Sequence, residues 1–304
     1  MIVVYGTICL DRIRRVPHLP PPGGYVEIED EVVQLGGEAA NTARFLRQLG
    51  SDVRLVGNSI GAGPEAELIR SLLGDAEMPS RDHPAPYCDI YVTPDGERTM
   101  MGRGFAEMPE RHGLECLDAS GADWLTVDAN HGRAAVEALR RNPGIRRYAM
   151  DLFDCADILG PGDIFQTGTD WTGTKGDRQA SHAWLAAWSK KCAALSILTD
   201  GGHGLFLGTA DFDPIWLGPL LIEPVVDATG AGDSFRAGLI HALSEGHALP
   251  QSVPFAMACG AIACTALGAG GAVLSSEGVH AVIEANGDRV SEIAAKLHKV
   301  DWNW

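Results

Sequence analysis

The sequence predicts an α/β protein with a doubly wound, mostly parallel sheet flanked by helices and a small β-sheet lid beside it. Three observations carry that expectation. Short apolar, β-branched runs alternate with segments of helical periodicity, as in stacked βαβ units. Two Pro- and Gly-rich excursions with strand character interrupt the alternation. A glycine-rich turn near residue 230 runs directly into an apolar-periodic helix, as anion-binding turns do. The length of 304 residues suits a single domain over 1–304, with the lid built from insertions at 12–35 and 87–104.

Taken in order, Ile2-Val3-Val4-Tyr5 stops at Gly6 and reads as a buried first strand followed by a loop. Pro17, Pro20, Pro21, Pro22, Gly23 and Gly24 then precede Tyr25-Val26-Glu27-Ile28-Glu29, whose period-two alternation predicts a half-covered strand. Residues 39–49 place Ala39, Ala43 and Leu46 at helical spacing, and 52–57 follow as a strand. Residues 87–92 and 99–101 flank Pro94-Asp95-Gly96, a hairpin with turn chemistry at its tip. Further strands are expected at 124–127, 147–150 and 195–198, with helices at 133–141 and 181–191. Phe235, Leu239 and Leu243 make a helix after the glycine turn. The uncharged stretch 255–274 has the length of a membrane span, but Ala and Gly dominate it and Gly268, Gly270 and Gly271 break its second half. It reads as a core helix and a loop.

Composition narrows the function. Against 40 Asp and Glu stand 24 Lys and Arg, a formal charge of −16 that disfavours nucleic acid and anionic membranes as partners. The seven cysteines are scattered and never spaced C-x-x-C, and Met1 is followed by no basic flank or apolar stretch of signal-peptide length. Reduced, mostly buried thiols in a cytoplasmic protein are expected. No G-x-G-x-x-G follows the first strand and no G-x-x-x-x-G-K-[ST] occurs, which excludes the common dinucleotide and P-loop signatures.

The segment Asp227-Ala228-Thr229-Gly230-Ala231-Gly232-Asp233 carries the chemistry. Its small residues let backbone N–H groups approach an anion where the helix end is partly positive. Asp233, in the first turn, can accept a proton from an alcohol beside that anion. Standing alone, Asp233 reads equally well as a helix cap. Asp11, after the first strand, reads equally as a turn former or a ligand, and Asp128, ending the strand 124–127, more readily as a loop cap than as a cleft residue.

Together these residues resemble the ribokinase/PfkB family of carbohydrate kinases, nearer its ketohexokinase-like branch. The 227–233 segment is close to the family's D-T-x-G-A-G-D, and Gly36-Gly37-Glu38-Ala39-Ala40-Asn41-Thr42-Ala43 with Leu49-Gly50 is close to its G-G-x-x-x-N-x-A…L-G. Thr199-Asp200-Gly201-Gly202-His203-Gly204 is similar to its T-x-G-x-x-G. The resemblance spans essentially the whole chain and implies a ribokinase-like fold and ATP-dependent phosphorylation of a hydroxymethyl group on a small neutral sugar, a pentose or ketohexose.

By the same resemblance Asp233 is the catalytic base and Gly230, Ala231 and Gly232 belong to an anion hole spanning 228–232. Asp11, Gly36, Gly37 and Asn41 line the sugar site, with Asp128, from its place at a strand end, a further candidate there. Thr199, Gly201, Gly204 and Thr229 approach the nucleotide phosphates, and Met257 and Gly260 wall the adenine. ATP and Mg2+ are implied cofactors; Asp227 and Thr229 sit where some relatives bind a monovalent cation such as K+. The family's N-x-x-E, which organises magnesium, has no match at 157–165, where Asp163 is the nearest acid. Glu38 stands where many sugar kinases carry Lys or Asn, favouring a neutral acceptor over a phosphorylated one.

Alternatives stay open at this level. An adenosine-like nucleoside kinase needs an aromatic clamp, for which Tyr25, Tyr87, Tyr91 and Phe105 are available. A phosphosugar kinase needs cations, and Arg44, Arg98 and Arg103 are candidates. A non-catalytic sugar or nucleotide sensor would explain the missing N-x-x-E. A homodimer through the lid would cover its edge strands.

Overall fold

The computed structural model describes residues 1–74, 82–106, 117–300 and 302. Cys116, Asn303 and Trp304 therefore lie outside the described residues. The chain opens with β1 (Ile2–Gly6), followed after two residues by β2 (Cys9–Arg15), then β3 (Asp30–Gly36), α1 (Glu38–Gln48), β4 (Val53–Gly57) and α2 (Pro64–Leu73). Next come β5 (Tyr87–Val92), β6 (Arg98–Arg103), β7 (Trp124–Asp128), α3 (Gly132–Arg141) and β8 (Arg146–Met150). Then follow β9 (Ile164–Gly168), α4 (Thr169–Thr172), α5 (Arg178–Ser189), β10 (Leu195–Thr199), β11 (Leu205–Gly208) and β12 (Ile215–Leu217). Helices α6 (Ala231–Ser244), α7 (Leu249–Ala263), α8 (Ser276–Ala285) and α9 (Gly287–Leu297) close the chain.

The large sheet has eight strands in the order β12-β11-β10-β9-β8-β7-β1-β4, parallel from β10 through β4 and antiparallel at β11 and β12. Its central strands are covered on both faces, which is why they read as unbroken apolar runs. Ile2 and Val4 join one core with α1, α6 and α7, while Val3 and Tyr5 join the other with α3. Trp124 and Tyr148 likewise face the first core, Leu125 and Ala149 the second. Helix α6 lies between α1 and α7 and is buried along most of its length, Arg236 included.

The small sheet, in the order β3-β2-β5-β6, is mixed: β2 pairs antiparallel with β3 and parallel with β5. Its inner face, Ile13, Ile90 and Val92, packs on Leu267. Its hairpin tip reaches the large domain, where Glu97 accepts from Lys175 at 2.8 Å.

Two sequence expectations change here. The stretch 25–29 is irregular, with Tyr25 85% exposed; the strand is β3, starting where Asp30 pairs with Arg15. The residues after Gly6, expected as a loop, form β2, the lid's central strand. Its arginines disguised it, and each of them meets an acid: Arg12 pairs with Glu65, Arg14 with Glu31 and Asp89, and Arg15 with Glu29 and Asp30. The stretch 255–274 behaves as expected, α7 giving way to a turn-rich loop, and no helix among the described residues is long and apolar enough to cross a membrane. The described cysteines are all free, four of them buried. Trp302 donates its indole N–H to the Leu297 carbonyl at 2.8 Å.

Candidate active site

Strand β1 ends at Gly6, where an added Cβ would fall 2.0 Å from Asp128 Oδ2, so glycine makes room for the carboxylate that ends β7. Asp128 accepts from Thr7 N at 2.7 Å, Thr7 Oγ1 at 2.9 Å and Asn130 N at 3.3 Å, and is 0% exposed. Its oxygens are thus committed to holding the β1–β2 connection, the capping role the strand end suggested.

The two glycines before α1 are packing devices. A Cβ on Gly36 would land 2.0 Å from Asp11 Cγ, and one on Gly37, at φ +94°, would land 2.3 Å from the Thr7 carbonyl oxygen. The pair therefore seats α1 against the β1–β2 connection and lets the Asp11 carboxylate lie across β3. Asp11 is buried; desolvation pushes its pKa up to about 7, opposed by the Cys9 thiol, which donates to it at 3.4 Å.

Asn41, on the first turns of α1, donates from Nδ2 to Asp233 Oδ2 at 3.0 Å, so two motifs far apart in sequence meet. Asp233 is 5% exposed, and burial pushes its pKa up to about 6 against the pull of Arg236 and Asn41. Gly230 caps α6 in the left-handed conformation, φ 81° and ψ 3°, with no side chain closing the helix end. The first-turn N–H groups have no intrahelical acceptor. Beneath them, Asp227 accepts from Thr229 N at 2.8 Å, Thr229 Oγ1 at 2.7 Å and Gly268 N at 2.7 Å, which fixes the turn. Thr229 and Asp227 spend their side chains on this turn. Gly232 borders Met150 and receives Gln166 Nε2 on its carbonyl oxygen at 3.3 Å, which puts the helix start over the carboxyl ends of β8 and β9.

The remaining predicted residues separate. Thr199 ends β10 at the same edge of the sheet and donates to the Thr167 carbonyl at 3.3 Å. Gly201 and Gly202 are exposed with open space around them, while Gly204 packs on the Leu217 carbonyl. Gly260 approaches Ala231 O and Phe235, so it lets α7 close on the first turn of α6, and Met257 is buried in the core. Asp163 precedes β9 and so lies at the opposite end of the sheet, bound to Arg147 by a 2.5 Å ion pair.

Sequence reasoning missed Asp151, Gln34 and Arg236, and it named Glu38 and Arg44 only as marks of the acceptor class. Asp151, just past β8, is the one non-glycine residue with positive φ (56°) among the described residues and accepts from Thr167 Oγ1 at 2.6 Å. Burial pushes it up to about 6. Glu38 keeps Oε2 buried without a described partner and is held well above the usual carboxylate range by desolvation and by Asp128, Asp233 and Asp151. Arg44 leans over Phe45 and donates to the Ala269 carbonyl, and Gln34 Oε1 accepts from Gly270 N at 3.0 Å. A strand-ending Asp was a readable signal for Asp151; Arg236, one turn after the motif, gave none.

No group of three or more His, Cys, Asp or Glu side chains among the described residues is placed to hold a metal. A helix start free of side-chain caps fits a nucleotide's phosphates.

The eight-stranded sheet, the four-stranded lid and the glycine-capped helix over the carboxyl edge define a ribokinase-like α/β kinase. The sequence profile of the pfkB family carbohydrate kinases matches residues 1–106 and 111–275, and this chain belongs to that family. It is 28% identical over 329 residues to an uncharacterized sugar kinase of Dictyostelium discoideum, covering 88% of this chain and 92% of that protein. Among solved structures, Arabidopsis thaliana ribokinase complexed with ribose and ATP superposes with a TM-score of 0.72 at 20% identity, covering 93% of this chain and 98% of the other. The Burkholderia thailandensis nucleoside kinase in complex with inosine gives 0.73 at 17% identity, covering 94% and 98%.

Proposed function

We propose that this chain transfers the γ-phosphoryl group of ATP to a hydroxymethyl group of a small neutral sugar, a pentose or ketohexose. The observation that carries this reading is the Asn41–Asp233 contact beside the uncapped start of α6, which sets a carboxylate base next to an anion cradle. The acceptor hydroxyl would give its proton to Asp233 as the phosphoryl group arrives. The N–H groups of the turn 228–232 would steady the charge on that group, and the lid, already touching Lys175 and Leu267, would exclude water. Magnesium, carried in by the nucleotide's phosphates and water, would neutralise phosphate charge.

The acceptor is read from the lining. Asp11 and the free Oδ1 of Asn41 are buried acceptors that call for hydroxyl donors, and the unpaired Oε2 of Glu38 beside them can meet a further hydroxyl. Asp128, Asp151 and Asp233, with Asp11 partly ionised near neutral pH, outnumber Arg44 and Arg236 and repel a phosphorylated sugar. The nucleoside reading finds less support: Tyr25 is exposed, and Arg12 covers the Tyr87 ring at 4.2 Å. A homodimer through the lid belongs to the same proposal, supported by the outer strands β3 and β6 and exposed Val33, Met100 and Met101.

ADP release from ATP and magnesium over free sugars, nucleosides and phosphosugars tests the reading. Turnover with a free pentose or ketohexose is expected; turnover confined to nucleosides or phosphosugars overturns the acceptor class. Gly36→Ala, which drives a methyl into Asp11, is expected to raise KM for the sugar roughly tenfold with a smaller change in kcat. An unchanged KM would remove Asp11 from the acceptor site.

The pH profile is a second check. Protonation of Asp233 and Asp11 removes the base and an acceptor as pH falls, so kcat/KM should rise with pH through an acid limb between about 6 and about 7. A rate flat down to pH 5 contradicts it.

A further inference from the structure

Arg236 is 0% exposed, and every contact of its guanidinium is internal. Nε donates to Thr42 Oγ1 at 2.9 Å and Nη2 to the same oxygen at 2.5 Å; Nη2 also reaches the Glu38 carbonyl at 2.8 Å, and Nη1 the Val127 carbonyl at 3.3 Å. One turn back on the same helix, Asp233 Oδ1 lies 3.4 Å from Nη2. A single side chain thus ties α6 to α1 and to the end of β7, with its charge beside the carboxylate.

Burying a guanidinium costs several kcal/mol unless charge and hydrogen bonds compensate. Here both come from the site. We propose that Arg236 is a positioning residue for Asp233, keeping that carboxylate ionised and aimed while locking the helix that carries it to the helix that carries Asn41. This inference rests on the reading of Asp233 as the base.

The surrounding charges make the need plain. Asp128 from β7 and Asp151 after β8 press on Asp233, whose own charge in turn presses on Glu38 of α1 and on Asp11 of the lid. Tyr148 of β8 lies within the field of Arg236 and stays neutral, driven up by burial. Arg44 is the other cation, facing Asp11 and Asp233 from α1. Arg236 pulls Asp233 and Asp151 down against desolvation, and it lowers Glu38 as well without bringing that carboxyl back to the ordinary range.

The test compares Arg236→Gln, neutral with donors retained, and Arg236→Lys, charged without the fork, with Asp233→Asn as reference; folding is followed by circular dichroism. In the Gln variant the acid limb of kcat should move up by about 1–3 pH units, the direction expected when a cation leaves a carboxylate. At pH 7 kcat should then fall roughly tenfold and recover by pH 9. The Lys variant should keep its limb within about half a unit of the natural enzyme yet lose plateau kcat severalfold. A folded Gln variant with an unmoved limb overturns the proposal. Should Gln fail to fold, Lys decides: a limb raised by a full unit despite the retained charge, or an undiminished plateau, overturns it. Turnover surviving Asp233→Asn would instead sink the base assignment, whatever Arg236 does.

Discussion

Asp233→Asn lowers kcat by about 10²–10⁴-fold, the usual worth of a general base, while sugar and nucleotide still bind. The substitution is nearly isosteric. Its amide can still accept from Asn41 Nδ2 and face Arg236, so α1 and α6 stay joined. It also takes the nearest negative charge from the buried Arg236 guanidinium, so the thermal midpoint should fall while the fold holds. Steady-state kinetics, calorimetric binding and a thermal melt separate these effects. A variant turning over within tenfold of the natural enzyme would end the assignment of Asp233 as base.

The site was legible where backbone chemistry constrains sequence. Gly36, Gly37 and Gly230 stand out because each lies where a Cβ would strike Asp11, Thr7 or Ala269, and Asn41 and Asp233 were readable through the motifs around them. Side chains whose role depends on what long-range folding brings near were not legible. Arg236 looks like any helix arginine until Thr42, Glu38 and Val127 close around it. Asp163, set aside for its register in the sequence, was not legible in its actual role either: its partner is Arg147 at the opposite end of the sheet.

The fold divides along a similar line. Strands buried on both faces wrote themselves as apolar runs, and the helices α1, α3 and α6 as periodic ones. The lid was harder because it is half-exposed and charged. Period two in Tyr25-Val26-Glu27-Ile28-Glu29 had no partner strand to pair with, while Arg12, Arg14 and Arg15 hid a strand that pairs on both edges. Alternation is a necessary sign of a strand but not a sufficient one; pairing decides.

Gly230→Ala is the second large effect expected, and it isolates the anion cradle from the base. At φ 81° an L-residue costs about 1–2 kcal/mol, and the new methyl would fall 2.4 Å from Ala269 Cβ. Ala269 cannot retreat freely, since its carbonyl receives Arg44 and its neighbour Gly268 is held by Asp227 Oδ2. The turn must therefore shift, carrying the first N–H groups of α6 away from the phosphoryl group. Losing one such donor typically costs about 10²–10³ in kcat. Gly246→Ala supplies the control: φ is 83°, no atom lies within 4 Å of the added Cβ, and the residue follows the far end of α6. Both variants should lose comparable stability from backbone strain, but only Gly230→Ala should lose kcat at a temperature where both are folded. Equal activities in the pair would show that the turn holds the helix and nothing more, and the phosphoryl group would have to be steadied elsewhere along the crest.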